Sequence, residues 1–304
     1  MIPSKKSVSA LLFTICCIYF LPYCSQDIPD DEYTTEIKEW HERRIEGLKR
    51  NDGWLTLAGL FWLKEGENSY GSDKSNDIIF PEGTPAFIGK FILNNGNVTS
   101  VINDGVEVYN DSVLVKEISM ENDLQKNTTI LTHGSFSWYV ILRDGNRYGI
   151  RLKNSESRAL KDFNDIDTYP IDKKWKIEAR YEPYDPPKVI VIPNVTGTSV
   201  EDTSKGALVF NIDNKEYRLD ALGSGERFFI IFADETNGEE TYGAGRFLSV
   251  AGPDSTGKTV IDFNKAYNPP CAFTKYATCP LPPRDNYLKV AVTAGEKKYG
   301  EGHH

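Results

Sequence analysis

The chain has 304 residues, a formal net charge of −9 and four histidines, with 39% hydrophobic and 12% aromatic residues. That acidic balance excludes a nucleic-acid partner, because phosphate binding needs clustered Lys and Arg. The apolar content suffices for a real core, in one large β domain or two smaller ones.

Lys5 and Lys6 precede an apolar run over residues 10–21 that only Thr14 interrupts. A charged segment followed by a short apolar one is the order of a secretory signal. The run is too short for a spanning helix, which needs about 18 apolar residues. It ends in Leu21-Pro22-Tyr23-Cys24-Ser25. A cysteine at this place resembles a bacterial lipoprotein cleavage site, in which Cys24 becomes the lipidated first residue. Tyr23 departs from the small residue expected before it, and ordinary cleavage nearby is the alternative. One acyl chain anchors only marginally, so membrane attachment here needs more than one. Residues 1–24 are thus expected to be an export signal, and the body a cell-envelope protein whose only membrane contact is a lipid anchor.

The cysteine count fits that compartment. Cys16 and Cys17 leave with the signal, and Cys24 is the lipidation candidate. Cys271 and Cys279 remain, and an even pair suits an oxidising environment. A bridge over so short a loop stabilises by ~2.5 kcal/mol in the chain-entropy model. The alternatives are two buried thiols or half of a metal site. Zinc needs about four ligands, so neither a metal nor a cofactor is expected.

Residues 30–50 read as one amphipathic helix. Ile37, Trp40, Ile45 and Leu48 recur at helical spacing, with Arg44 beside the stripe. Acids open the segment, Lys49 and Arg50 close it, and Asn51-Asp52-Gly53 ends it. From Trp54 on, short strands and turns follow. Alternation predicts strands over residues 86–93, 98–102, 106–109, 113–118 and 129–142, and Asp144-Gly145 turns the last into 147–152. Residues 155–167 are polar and irregular, with room for one helical turn, and form the boundary. Strands return at 175–181, 189–192, 207–212, 217–219, 228–232, 246–250, 260–263 and 288–292. The prediction is a mostly β protein: the helix, a first β unit over 51–160 and a second over 168–300, two packed antiparallel units of sandwich or barrel type.

Gly252-Pro253-Asp254-Ser255-Thr256-Gly257-Lys258-Thr259 matches the phosphate-loop pattern letter for letter. The chemistry needs a helix after the loop. Val260-Ile261-Asp262-Phe263 is strand-like, and Asp254 would repel phosphate, so the segment is expected to be a hairpin turn. No G-x-S-x-G elbow accompanies His41 or His133, which read as structural. Residues 73–77 and 162–167 lack the glycine and distal glutamate of a calcium loop and read as solvated turns.

Residues 234–283 are the most unusual stretch. Glycines beside Arg246 permit close backbone approach, and a proline-rich loop clipped by two cysteines suits a preorganised site. The competing expectation is bracing, with Arg246 paired to Asp262, and with Asn264 and Asn268 satisfying backbone groups. Thr241-Tyr242-Gly243-Ala244-Gly245-Arg246-Phe247-Leu248, the run from Asp262 through Asn268-Pro269-Pro270-Cys271 to Thr274, Ala277-Thr278-Cys279-Pro280-Leu281-Pro282-Pro283 and Ala294-Gly295-Glu296-Lys297 resemble the signatures of the bacterial and archaeal domain-of-unknown-function family numbered 1684. Gly53-Trp54-Leu55, Gly71-Ser72-Asp73 and Arg147-Tyr148-Gly149-Ile150-Arg151 fit as well. The resemblance implies kinship and no activity.

The expected function is a cell-envelope ligand-binding or accessory protein with a polar pocket in the second unit. Arg246, Asp262, Asn264 and Asn268 are its candidate residues, and Arg151 and Arg158 add charge for a small anionic ligand. One alternative is a hydrolase with Asp262 or Glu240 as acid or base, or Cys271 as nucleophile if it is unpaired. The other is a structural envelope component.

Overall fold

The computed structural model describes residues 32–223 and 226–300. The expected export signal, Cys24 and the first two residues of the expected helix lie outside them. Glu32–Lys49 is helical, with Tyr33, Ile37 and Leu48 buried and Trp40 and Ile45 half-buried along one stripe. Glu32 and Lys49 oppose the macrodipole at the two ends. The polar residues of that stripe fix the helix onto the second unit. The Tyr33 hydroxyl donates to Asp262 (2.9 Å), and the Arg44 guanidinium donates to Glu296 (3.2 Å) and to the Asn268 carbonyl (2.9 Å).

The first unit stacks two sheets. One has the spatial order Ile78–Ile79, Gly66–Gly71, Gly89–Asn94, Asn97–Ile102, Glu117–Ser119. The other runs Leu57–Trp62, Arg147–Asn154, Phe136–Arg143, Leu131–His133, Tyr109–Asn110, Val113–Leu114. Every pairing is antiparallel except Gly66–Gly71 with Ile78–Ile79. Between the sheets, Tyr70 stacks on Phe91 at 4.0 Å and meets Trp138 edge-on at 5.9 Å. All three rings are fully buried or nearly so, and aromatic pairs of this kind add about 0.5–1.5 kcal/mol beyond area burial. Asn95-Gly96 and Asp144-Gly145 take φ of 50° and 84°, and of 53° and 77°. Positive φ at both central residues matches the twist of a two-residue hairpin.

The second unit holds a four-stranded sheet, in the order Lys215–Ala221, Ser199–Ile212, Lys176–Pro193, Lys258–Asp262, and a two-stranded one, Arg227–Phe232 with Arg246–Ala251. Its core includes Trp175, Phe210, Phe232 and Phe263. A third core joins everything: Leu48 of the helix, Leu55 and Leu57 of the first unit, and Ile190, Ile231, Phe247 and Phe273 of the second.

The expectation of a mostly β protein of packed antiparallel units behind one helix holds. Individual strands differ. Residues 129–142 form two strands, with Gly134 turning between them at φ 57°. The two strands expected at 175–181 and 189–192 are one, Lys176–Pro193. Its ladder to Ser199–Ile212 loses register between Pro183 and Lys188, where the prolines remove donors. Residues 106–108 stay outside any strand, and 113–118 is split into Val113–Leu114 and Glu117–Ser119. Residues 288–292 alternate in burial but form no ladder. Leu288 donates its N–H to the Ala233 carbonyl, and Val292 donates to the Asp234 carboxylate. Alternation reports a buried face, not a paired edge.

Candidate inter-unit cleft

Arg246 opens its strand with no exposure to solvent. One terminal nitrogen, Nη2, donates to Asp234 (2.8 Å) and to the Val292 carbonyl (3.0 Å). The other, Nη1, donates to the carbonyls of Ala294 (2.5 Å) and Glu296 (3.4 Å). Asp234 also accepts from the Thr236 N–H and hydroxyl and from the Val292 N–H. Arg246 therefore pairs with Asp234 and not with Asp262. It ties the strand to the C-terminal segment, and its charge is consumed inside the protein.

The other expected site residues divide similarly. Asp262 accepts from Tyr33 and from the Asn264 N–H (3.1 Å). Burial, and then the Asp262 charge, push the Tyr33 pKa upward, which keeps it a donor. Asn264 is buried and spans Tyr33 and both backbone groups of Asp172. Asn268 receives no solvent, donates its side chain to the Lys297 carbonyl (2.7 Å) and its N–H to Glu296 (2.6 Å). Arg158 pairs with Asp162 one helical turn on and is almost fully exposed. Arg151 is different. It is 2% exposed, it donates to the Thr278 hydroxyl (3.2 Å), and its Nε is buried without a partner among the described residues. Burial draws its pKa down, which the adjoining Tyr139 hydroxyl opposes.

Residues 73–77 and 252–259 are turns as expected, whereas 162–167 are not: Asp162 ends the short helix Arg158–Asp162, and Phe163 and Ile166 are buried in the third core. Asp254 fills its own loop, accepting from the Thr256 N–H and hydroxyl and from the Lys258 N–H, so those donors are not open to phosphate. The loop joins strands of two different sheets, so it is not a hairpin within one ladder. Asp73 accepts from Ser75, and Asp77 from Ser69. His41 meets Asp165 (3.2 Å), and His133 meets the Glu107 carbonyl (2.7 Å).

A cleft of about 840 Å³ opens between the units, within the size range of small-ligand sites. Leu60 and Trp62 of the first unit form one wall. Facing them are Thr241, Tyr242, Gly243 and Ala244 from the motif that precedes Arg246, and Tyr276 and Ala277 from the loop clipped by the cysteines. Lys275 and Lys298 supply positive charge, and no Asp, Glu or His is among the described residues that line the cleft. Gly245 sets the turn between Ala244 and Arg246. Its φ is 93°, and a Cβ there would lie 2.5 Å from Pro282 and 2.7 Å from the Phe232 carbonyl oxygen, so only glycine fits. The charged residues singled out in the sequence are thus mostly fasteners, and their small or aromatic neighbours face the open space. Trp62, Lys275, Tyr276 and Lys298 carried no local signal. Tyr242 and Ala277 lay inside the quoted motifs.

These features describe a two-unit β protein with a cleft at the junction and motifs that converge on it. Residues 161–297 match the family model "Protein of unknown function (DUF1684)", and the chain belongs to that family. The solution NMR structure of an uncharacterized protein from Haloarcula marismortui is 31% identical in sequence. The match covers 47% of this chain and 80% of that one, with a TM-score of 0.38. No curated protein matches.

Cys271 and Cys279 stand at disulfide distance with their Cα atoms 6.1 Å apart, within the range that permits a bridge. A thiol count on the denatured, unreduced protein should find neither of these two cysteines reactive; two titratable thiols would exclude the bridge. Glu296 offers a pH test. Burial raises its pKa above the usual carboxylate range, against the pull of Arg44. A group raised on folding contributes stability fully below the unfolded value, about 4.3, and loses it as pH rises. Glu296→Gln should therefore gain stability relative to wild type as pH rises above about 4, measured by urea denaturation. A relative loss over that range would contradict the burial argument.

Proposed function

We propose that the protein is an exported cell-envelope binding protein that holds a small anionic, partly apolar ligand in the cleft between its β units. The observation that carries this is the composition of the lining: apolar and aromatic walls, two lysines and, among the described residues, no Asp, Glu or His. Small-molecule sites combine apolar surface with a few placed polar groups in this way. Arg151 supports the same sign of ligand. Its cross-strand partner Leu60 lines the cleft, and it is buried with no carboxylate bonded to it among the described residues, an arrangement that a nearby anion would stabilise.

The hydrolase alternative is less well supported. Asp262 is engaged with Tyr33 and Asn264, Cys271 lies at disulfide distance from Cys279, and Glu240 is exposed outside the lining. Lys5, Lys6 and the apolar run after them support export, and Cys24 supports a lipid anchor.

Fluorescence titration with 8-anilinonaphthalene-1-sulfonate tests the cleft. Saturable binding is expected, and Lys275→Ala combined with Lys298→Ala should weaken it by about tenfold. Ala244→Trp should abolish it by filling the space. Binding that ignores both changes would refute the assignment. Fractionation tests the anchor: Cys24→Ser should move the protein from the membrane to the soluble fraction, and an unchanged distribution would count against lipidation.

A further inference from the structure

A second cavity lies on the seam between the two sheets of the second unit. Strand Arg246–Ala251 is hydrogen-bonded along one edge to Arg227–Phe232, and Lys258–Asp262 along one edge to Lys176–Pro193. The facing edges of these two strands do not form a ladder. They are closed at one end by the Thr259 hydroxyl donating to the Ala251 carbonyl (2.7 Å). At the other end, Phe247 and Tyr267 exchange backbone hydrogen bonds (2.9 and 3.0 Å). Between these closures is a space of about 410 Å³, lined in part by Ser249 and Asp262.

Three cations line it: Lys176, Arg227 and Lys265. Glu36 neutralises part of that charge, pairing with Lys265 and lying 4.0 Å from Lys176. Arg227 donates to the Ser249 hydroxyl (3.2 Å) and is exposed. With Asp262 and Glu36 counted, the pocket still carries net positive charge, in a chain whose formal net charge is −9. Trp40 from the helix and Tyr267 form a ring-lined wall, with centroids 6.4 Å apart. Asp262 uses one carboxylate oxygen for Tyr33 and Asn264, and its other oxygen, Oδ2, is buried with no donor among the described residues.

A simple anion would answer the cations and leave Asp262 without a donor. An occupant that satisfies the whole lining carries an anionic group for Lys176 and Arg227, hydroxyls to donate to the carboxylate, and a ring face for Trp40. We infer that this seam is a binding site for an acidic sugar, a saccharide bearing a carboxylate, separate from the inter-unit cleft. Neighbouring acceptors, donors and aromatic faces together discriminate such a ligand from both a neutral sugar and a bare anion.

Isothermal titration calorimetry of the full-length protein with digalacturonic acid tests this. Saturable binding is expected, weakened at least about tenfold by Arg227→Ala and by Lys176→Ala. Maltose and inorganic phosphate should bind more weakly by a similar factor. Both substituted residues are exposed, and unchanged anilinonaphthalene sulfonate binding in the variants would show that they fold and that the two sites are independent. No saturable heat with digalacturonic acid, equal affinity for maltose or phosphate, or insensitivity to both substitutions would each overturn the site.

Discussion

Arg246 and Asp234 are both withdrawn completely from water. An ion pair buried so deeply depends on further hydrogen bonds to both groups, and the backbone of residues 292–296 supplies most of those it makes. That requirement fixes the C-terminal segment against the strand that Arg246 begins. It also fixes Glu296, whose buried carboxylate takes Arg44 from the helix and the N–H of Asn268. Helix, C-terminal segment and the loop after Tyr267 are therefore held by one connected set of charges. Removing either member of the central pair would strand the other, at a cost of about 3–5 kcal/mol.

The cleft follows from what this network leaves beside it. The loop Thr241–Gly245 leads directly into Arg246, so its backbone is set by a residue that never touches the open space. On the same wall, the cysteine-clipped loop is held by the backbone N–H groups of Cys271 and Cys279, each pointed at the other's sulfur. Arg143 and Arg151 both donate to Thr278 and so connect that loop to the first unit. The third apolar core seals the junction behind it. Both loops of this wall are thus anchored by groups whose own bonding is internal, which is the condition for a preorganised site.

The fold was legible where one face of a strand is apolar, as in Gly89–Asn94 and Asn97–Ile102, whose burial alternates cleanly. Gly66–Gly71 was illegible for a physical reason. Its inward Asn68 is polar and buried because it bonds the backbone of Lys64 and Gly66, which breaks the apolar pattern. The motif that supplies part of the cleft lining stood out in the sequence, but the polar residues singled out there are not among that lining. Polarity drew attention to Arg246, Asp262 and Asn268, yet a polar group in a packed motif is most readily satisfied by partners within its own fold. Space for a ligand needs small and aromatic side chains, and Gly243, Ala244 and Trp62 carry no mark in a single sequence that separates them from packing residues.

The most direct measurement is a crystal structure of the protein with anilinonaphthalene sulfonate bound. The probe is predicted to lie between Trp62 and the Thr241–Ala244 loop, with its sulfonate toward Lys275 and Lys298. A probe seated elsewhere, with that cleft filled by closed side chains, would contradict it.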